Sequence, residues 1–102
     1  MQSISASAAH HLGDAYIIDV REPDEVARAR IDSAVHIPLG SLVERLEEVP
    51  RNRTVYLICA AGGRSAQATQ FLVAQGIDAV NIEGGIMEWY RTGLPVTLGE
   101  AS

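Results

Sequence analysis

The chain has 102 residues, 47% of them hydrophobic, with thirteen acidic against eight basic side chains and a formal net charge of −5. This is enough for one globular core, read as a single domain over 1–102, and the acidic balance argues against nucleic acid or an anionic membrane as the main partner. All eight basic residues are arginine, which removes a Walker-A lysine, a Schiff-base lysine and a pyridoxal phosphate anchor, so no cofactor is expected. No apolar stretch approaches the length of a membrane span, and Met1 to Ser5 lack the basic start and apolar run of a secretory signal. A cytoplasmic location is the resulting expectation.

In chain order, short apolar runs read as strands at Ser3 to Ser5, Tyr16 to Val20, Ala34 to Ile37, Thr54 to Ile58 and Ala79 to Ile82. Between the first two, His10 and His11 read as a solvated helix end. Pro23 followed by Asp24 and Glu25 reads as the first turn of a short helix, with proline and acids where the helix start favours them. Leu39, Leu42, Val43 and Leu46 match the i, i+3, i+4, i+7 template of an amphipathic helix. Ala68, Phe71 and Leu72 give a second helical face, with Gly76 where a helix stops. Trp89, in a last helix after Gly84-Gly85, reads as core, and the tail from Thr97 to Ser102 as frayed. Strand and helix alternation of this kind predicts an α/β fold, a mostly parallel sheet covered on both faces.

Three polar clusters fall at the carboxyl ends of these strands, where such a sheet places its site: Asp19-Val20-Arg21-Glu22, the segment after Ile58, and Asn81-Ile82-Glu83-Gly84-Gly85. The middle one is Cys59-Ala60-Ala61-Gly62-Gly63-Arg64-Ser65, and it holds the only cysteine of the chain. Two alanines and two glycines leave the backbone unshielded, and glycine reaches the positive φ values that turn successive N–H groups toward one point. A helix beginning near Arg64 adds its unpaired N–H groups and dipole. In such a field a thiol of ordinary pKa near 8.5 falls to roughly 3.5–7.5, and the thiolate is the nucleophile. Cys59 is therefore the candidate catalytic residue, and Ala60, Ala61, Gly62, Gly63, Arg64 and Ser65 form the candidate anion-binding loop. The plainer alternative, an inert core cysteine, requires neither the Gly-Gly turn nor the arginine. Asp19 and Arg21 read as a structural ion pair or cap that braces the loop without touching substrate. His10, His11 and His36 make no metal-ligand spacing with Cys59 or the acids, and no metal is expected. With one cysteine there is no internal resolving thiol, so a covalent sulfur intermediate must be discharged by an outside molecule.

With these pieces assembled, the chain resembles a single-domain rhodanese along nearly its whole length. The landmarks are Ile17-Ile18-Asp19-Val20-Arg21-Glu22, Ala34-Val35-His36-Ile37-Pro38, the Cys59 to Ser65 loop, and Asn81 to Trp89 followed by Gly93-Leu94-Pro95-Val96. The resemblance implies a five-stranded, mostly parallel sheet with helices on both faces. It also implies sulfur transfer through a persulfide on Cys59, with thiosulfate or a persulfide, including a protein-bound one, as donor and a thiol or cyanide as acceptor.

Four residues separate Cys59 from Arg64, whereas the related phosphatases and arsenate reductases of this fold carry five, a larger ring suited to a tetrahedral oxyanion. The sequence departs from the family pattern in two places. Ala29-Arg30-Ile31-Asp32-Ser33-Ala34 replaces the frequent Gly-His-Ile-x-Gly-Ala, and Ala60 and Ala61 stand where thiosulfate-preferring members often carry a basic side chain. The alternative function is a non-catalytic rhodanese module that binds a partner; its usual mark is loss of the cysteine, which is retained here.

Overall fold

The computed structural model describes residues 1–99. The elements run β1 (Gln2–Ser5), α1 (Ala6–His11), β2 (Tyr16–Asp19), α2 (Pro23–Arg28), β3 (Ala29–Arg30), β4 (Val35–His36), β5 (Val55–Ile58), α3 (Gly63–Ala74), β6 (Ala79–Glu83), α4 (Gly85–Arg91) and β7 (Thr97–Leu98). Five strands form one parallel sheet in the order β1-β6-β5-β2-β4. Its central strands are mostly apolar because both faces are covered, with buried Asn81 in the middle of β6 as an exception.

Alternation along each strand divides the core in two. Ile18, Leu57 and Cys59 pack with Ala68 and Leu72 of α3 on one face, while Ile17, Ile58 and Ile82 pack with Ala6 and Ala9 of α1 and Ile86 and Trp89 of α4 on the other. Register is therefore a functional quantity. Leu57 lies opposite Ile18 of β2 and Asn81 of β6, and a slip of one residue in β5 would carry Cys59 to the wrong face of the sheet. Among the described residues no helix is long and apolar enough to cross a membrane.

Most expected elements are present, with boundaries moved by a residue or two. The exceptions have physical causes. Ala34 to Ile37 reduces to the two-residue β4, a short edge strand, although Ile37 still donates its N–H to Asp19. The amphipathic pattern from Leu39 to Leu46 does not form an α-helix; the chain makes 3₁₀ turns at Leu39–Ser41 and Leu46–Glu48. Gly40 weakens helix propagation in the first turn after Pro38. Leu42 is buried while Val43 stands exposed, so the apolar face is narrower than the template required.

The tail is the other correction. Thr97 and Leu98 pair antiparallel with Arg30 and Ala29 of β3, Thr97 Oγ1 donates to Asp32, and Arg30 donates to the carbonyl of Gly99. This second small sheet ties residues 97–99 to the body, and the rest of the expected frayed tail, 100–102, lies outside the described residues. The histidine pair does end α1 in solvent, with the His10 ring edge-on to Trp89 at 5.6 Å.

Candidate active site

Cys59 stands one residue beyond β5, with only 1% of its surface exposed. The chain then turns sharply. Gly62 adopts φ 113°, a left-handed conformation that glycine reaches without strain, and its N–H donates to Cys59 Sγ at 3.0 Å. The N–H groups of Ala61 and Ser65 act on the same sulfur, and Ser65 Oγ lies 3.3 Å from it. Burial pushes the Cys59 thiol up, but the Ser65 hydroxyl and the N–H groups of Ser65, Gly62 and Ala61 together outweigh it, and the net shift is downward. α3 starts at Gly63 immediately behind the sulfur, so its dipole works in the same direction. The six loop residues singled out in the sequence are thus brought together, but unequally: backbone N–H groups and one hydroxyl reach the sulfur, while the Ala61 side chain faces solvent.

Arg64 points elsewhere. Both terminal nitrogens of its guanidinium donate to Glu25 of α2, at 2.6 and 2.9 Å, a bidentate pair that fastens the start of α3 to α2. Its charge is spent on that clamp, and the loop presents no other cation. Glu25 also caps α2 by accepting the Glu22 N–H at 3.0 Å. The hydrogen bond from Arg64, opposed by partial burial and helped by the Glu22 N–H, lowers the Glu25 carboxyl from 4.5 to about 2.

Asp19 and Arg21 form a buried ion pair at 2.8 Å, each about 3% exposed. The Arg21 guanidinium donates to both Asp19 oxygens and to the carbonyls of Glu25 and Ala29. This satisfies a charge whose isolated burial would be prohibitive. The pair reaches the loop at one remove: it is bonded to α2 and its end, and α2 holds Arg64.

Residues outside the loop, Asn81, Gly85, Ile86, Met87 and Glu25, support it. The N–H groups of Ile86 and Met87, at the start of α4, donate to the carbonyls of Cys59 and Ala60 at 2.8 and 3.1 Å; this turns the loop carbonyls outward and leaves its N–H groups facing the sulfur. That approach requires Gly85, where a Cβ would collide with those same carbonyls, so the Gly84-Gly85 turn also makes room for the loop. Asn81, buried on β6, receives the Ser65 hydroxyl at 2.6 Å. The polar cluster at 81–85 marked the region in the sequence, but neither Asn81 nor Glu25 carries a local signal of its partner.

Comparisons with known proteins agree with this architecture. The family described as Rhodanese-like domain matches residues 5–92. A sulfurtransferase of Allochromatium vinosum is 39% identical over 88 residues, covering 85% of this chain and 82% of the relative. The thiosulfate sulfurtransferase GlpE of Vibrio cholerae is 31% identical over 93 residues, covering 90% and 88% of the two chains. Among solved structures, a rhodanese-related protein from Thermoplasma volcanium superposes with a TM-score of 0.91 at 36% identity, covering 96% of this chain and 99% of that one.

The Glu25–Arg64 clamp has a definite pH window. A carboxyl lowered from 4.5 to about 2 contributes stability that is complete above its ordinary value and is lost as pH falls through the lower one. Carbon-detected NMR of Glu25 should titrate with a midpoint near 2, returning to the ordinary carboxylate range in Arg64→Met. A midpoint already near the ordinary value in the unmodified protein would show that the clamp is open in solution.

Proposed function

The chain belongs to the rhodanese-like domain family, and we propose that it is a sulfurtransferase in which Cys59 carries the transferred sulfur as a persulfide. The observation that supports this most is the sulfur itself, buried yet made more acidic by the surrounding N–H groups and the Ser65 hydroxyl. In the forward half-reaction the Cys59 thiolate attacks the outer sulfur of thiosulfate or of a persulfide; a sulfur–sulfur bond forms on Cys59, and sulfite or the donor thiolate leaves with the bonding electrons. A thiol or cyanide then attacks the outer sulfur of the enzyme persulfide, and Cys59 departs as thiolate. The chain has no second cysteine, so the acceptor comes from outside, and a reducing cytoplasmic setting suits a single free thiol.

Donor preference follows from charge. Thiosulfate is a dianion, and this loop offers it alanine at positions 60 and 61 and an arginine already paired to Glu25. A missing charge-assisted hydrogen bond costs about 1.5–3 kcal/mol, roughly one to two powers of ten in rate or affinity. The loop is accordingly better matched to a persulfide donor than to thiosulfate.

Intact-mass measurement after incubation with thiosulfate, a cysteine persulfide or 3-mercaptopyruvate should show a gain of one sulfur atom, removed by cyanide and absent in Cys59→Ser. No gain from any of the three would reject the proposal. In addition, Ala61→Arg should raise kcat/KM for thiosulfate by about 10- to 100-fold; an unchanged value would remove the argument from charge.

A further inference from the structure

Ser65 has one hydroxyl proton and three neighbours that can accept it: Asn81 Oδ1 at 2.6 Å, the Gly62 carbonyl at 3.2 Å and Cys59 Sγ at 3.3 Å. It is fully buried and Asn81 nearly so, which leaves water little part in the choice. With the Asn81 oxygen toward it, the Ser65 hydroxyl donates at 2.6 Å, and its lone pairs then suit a protonated thiol that donates its S–H across the 3.3 Å contact, in which either atom can be the donor. A thiolate has no proton to give. It needs the Ser65 hydroxyl to point at it, and Ser65 then needs a donor behind it.

A carboxamide supplies either pole from nearly the same shape, oxygen as acceptor or NH₂ as donor. We propose that Asn81 is a positioning residue for Cys59 chemistry, presenting its oxygen to Ser65 when the sulfur is a thiol and its nitrogen when the sulfur has lost its proton. On ionisation the thiol proton leaves to solvent, the Ser65 hydroxyl swings from Asn81 to Sγ, and the carboxamide turns over to donate to Ser65 Oγ. The inner sulfur of a persulfide likewise carries no proton and calls for the same arrangement. The proposal rests on Cys59 being the reacting group but not on which sulfur donor it uses.

The register makes this possible. Asn81 sits on β6 between Ser3 of β1 and Leu57 of β5, and its side chain reaches Ser65 on α3. The charged groups on the surrounding elements are Arg64 on α3, whose charge acts on Cys59 and is held by Glu25 of α2; Asp19 and Arg21, paired with each other after β2; Glu83 at the end of β6; and Glu88 on α4, bonded to Arg91. Among the described residues none of these hydrogen-bonds to Ser65 or Asn81. The Ser65–Asn81 pair is thus a neutral relay with two settings.

The test is the pH dependence of Cys59 alkylation by iodoacetamide, which needs no sulfur donor and so fails or succeeds independently of sulfur transfer. Asn81→Asp accepts only and holds the Ser65 proton away from sulfur. Its alkylation midpoint should rise by about one pH unit, with a roughly tenfold lower rate at neutral pH. Asn81→Ser, which both donates and accepts, should retain most of the original midpoint. In a Ser65→Ala background the Asn81→Asp shift should fall to less than half. An equal shift in that background would mean direct charge repulsion and would overturn the relay, as would no shift in Asn81→Asp. If Asn81→Asp does not fold, the Asn81 side-chain amide resonances of the unmodified protein serve instead: they should titrate with the Cys59 midpoint and cease to do so in Ser65→Ala, and resonances indifferent to the thiol would overturn the proposal.

Discussion

A sulfur anion withdrawn from water must find its hydrogen-bond donors in the protein, and the active end of this molecule is organised around that requirement. Burial alone would keep Cys59 a neutral, unreactive thiol. Three backbone N–H groups and one hydroxyl reverse the balance, and they do so without a cationic side chain at the sulfur. Donors fixed in the backbone lose no side-chain rotamer freedom and need not reorganise when charge appears, which is the property that makes preorganised amides effective toward anions.

Such a ring holds its shape only if its own carbonyls are kept from turning inward. Here two helix starts do that from opposite sides. α4 takes the carbonyls of Cys59 and Ala60, which demands a residue without a side chain at Gly85. α3 begins under the sulfur, and its Arg64 is fastened to Glu25 on α2, which in turn is braced by the buried Asp19–Arg21 pair at the end of β2. Arg64, Glu25, Asp19 and Arg21 are all engaged in that support. The one cation of the loop is therefore engaged in its support, which is the ground for the proposed preference for a less charged donor.

The strands, the loop and its position at the carboxyl end of the sheet were legible in the sequence because each depends on neighbours within a few residues: unbroken apolar runs, then Ala-Ala-Gly-Gly. The resemblance to rhodaneses was carried by those same local landmarks. What could not be read depended on distant partners. Glu25 and Arg64 are 39 residues apart, Ser65 and Asn81 meet only through the register of β6, and the pairing of β3 with β7 involves two residues on each side with no periodic signal. The segment after Pro38 differs for the opposite reason: its local pattern fits a helix, but Gly40 weakens the first turn and only Leu42, not Val43, finds a buried place.

The central claim is that this ring makes a buried sulfur more acidic than a free one. Titration of the Cys59 thiolate by its ultraviolet absorbance, with Cys59→Ser subtracted as the blank, measures this directly. The account predicts a midpoint below the ordinary thiol value of about 8.5, rising when Ser65 is replaced by alanine. A midpoint at or above that value would contradict it, because burial would then have prevailed over the amides and Cys59 would be an inert core cysteine.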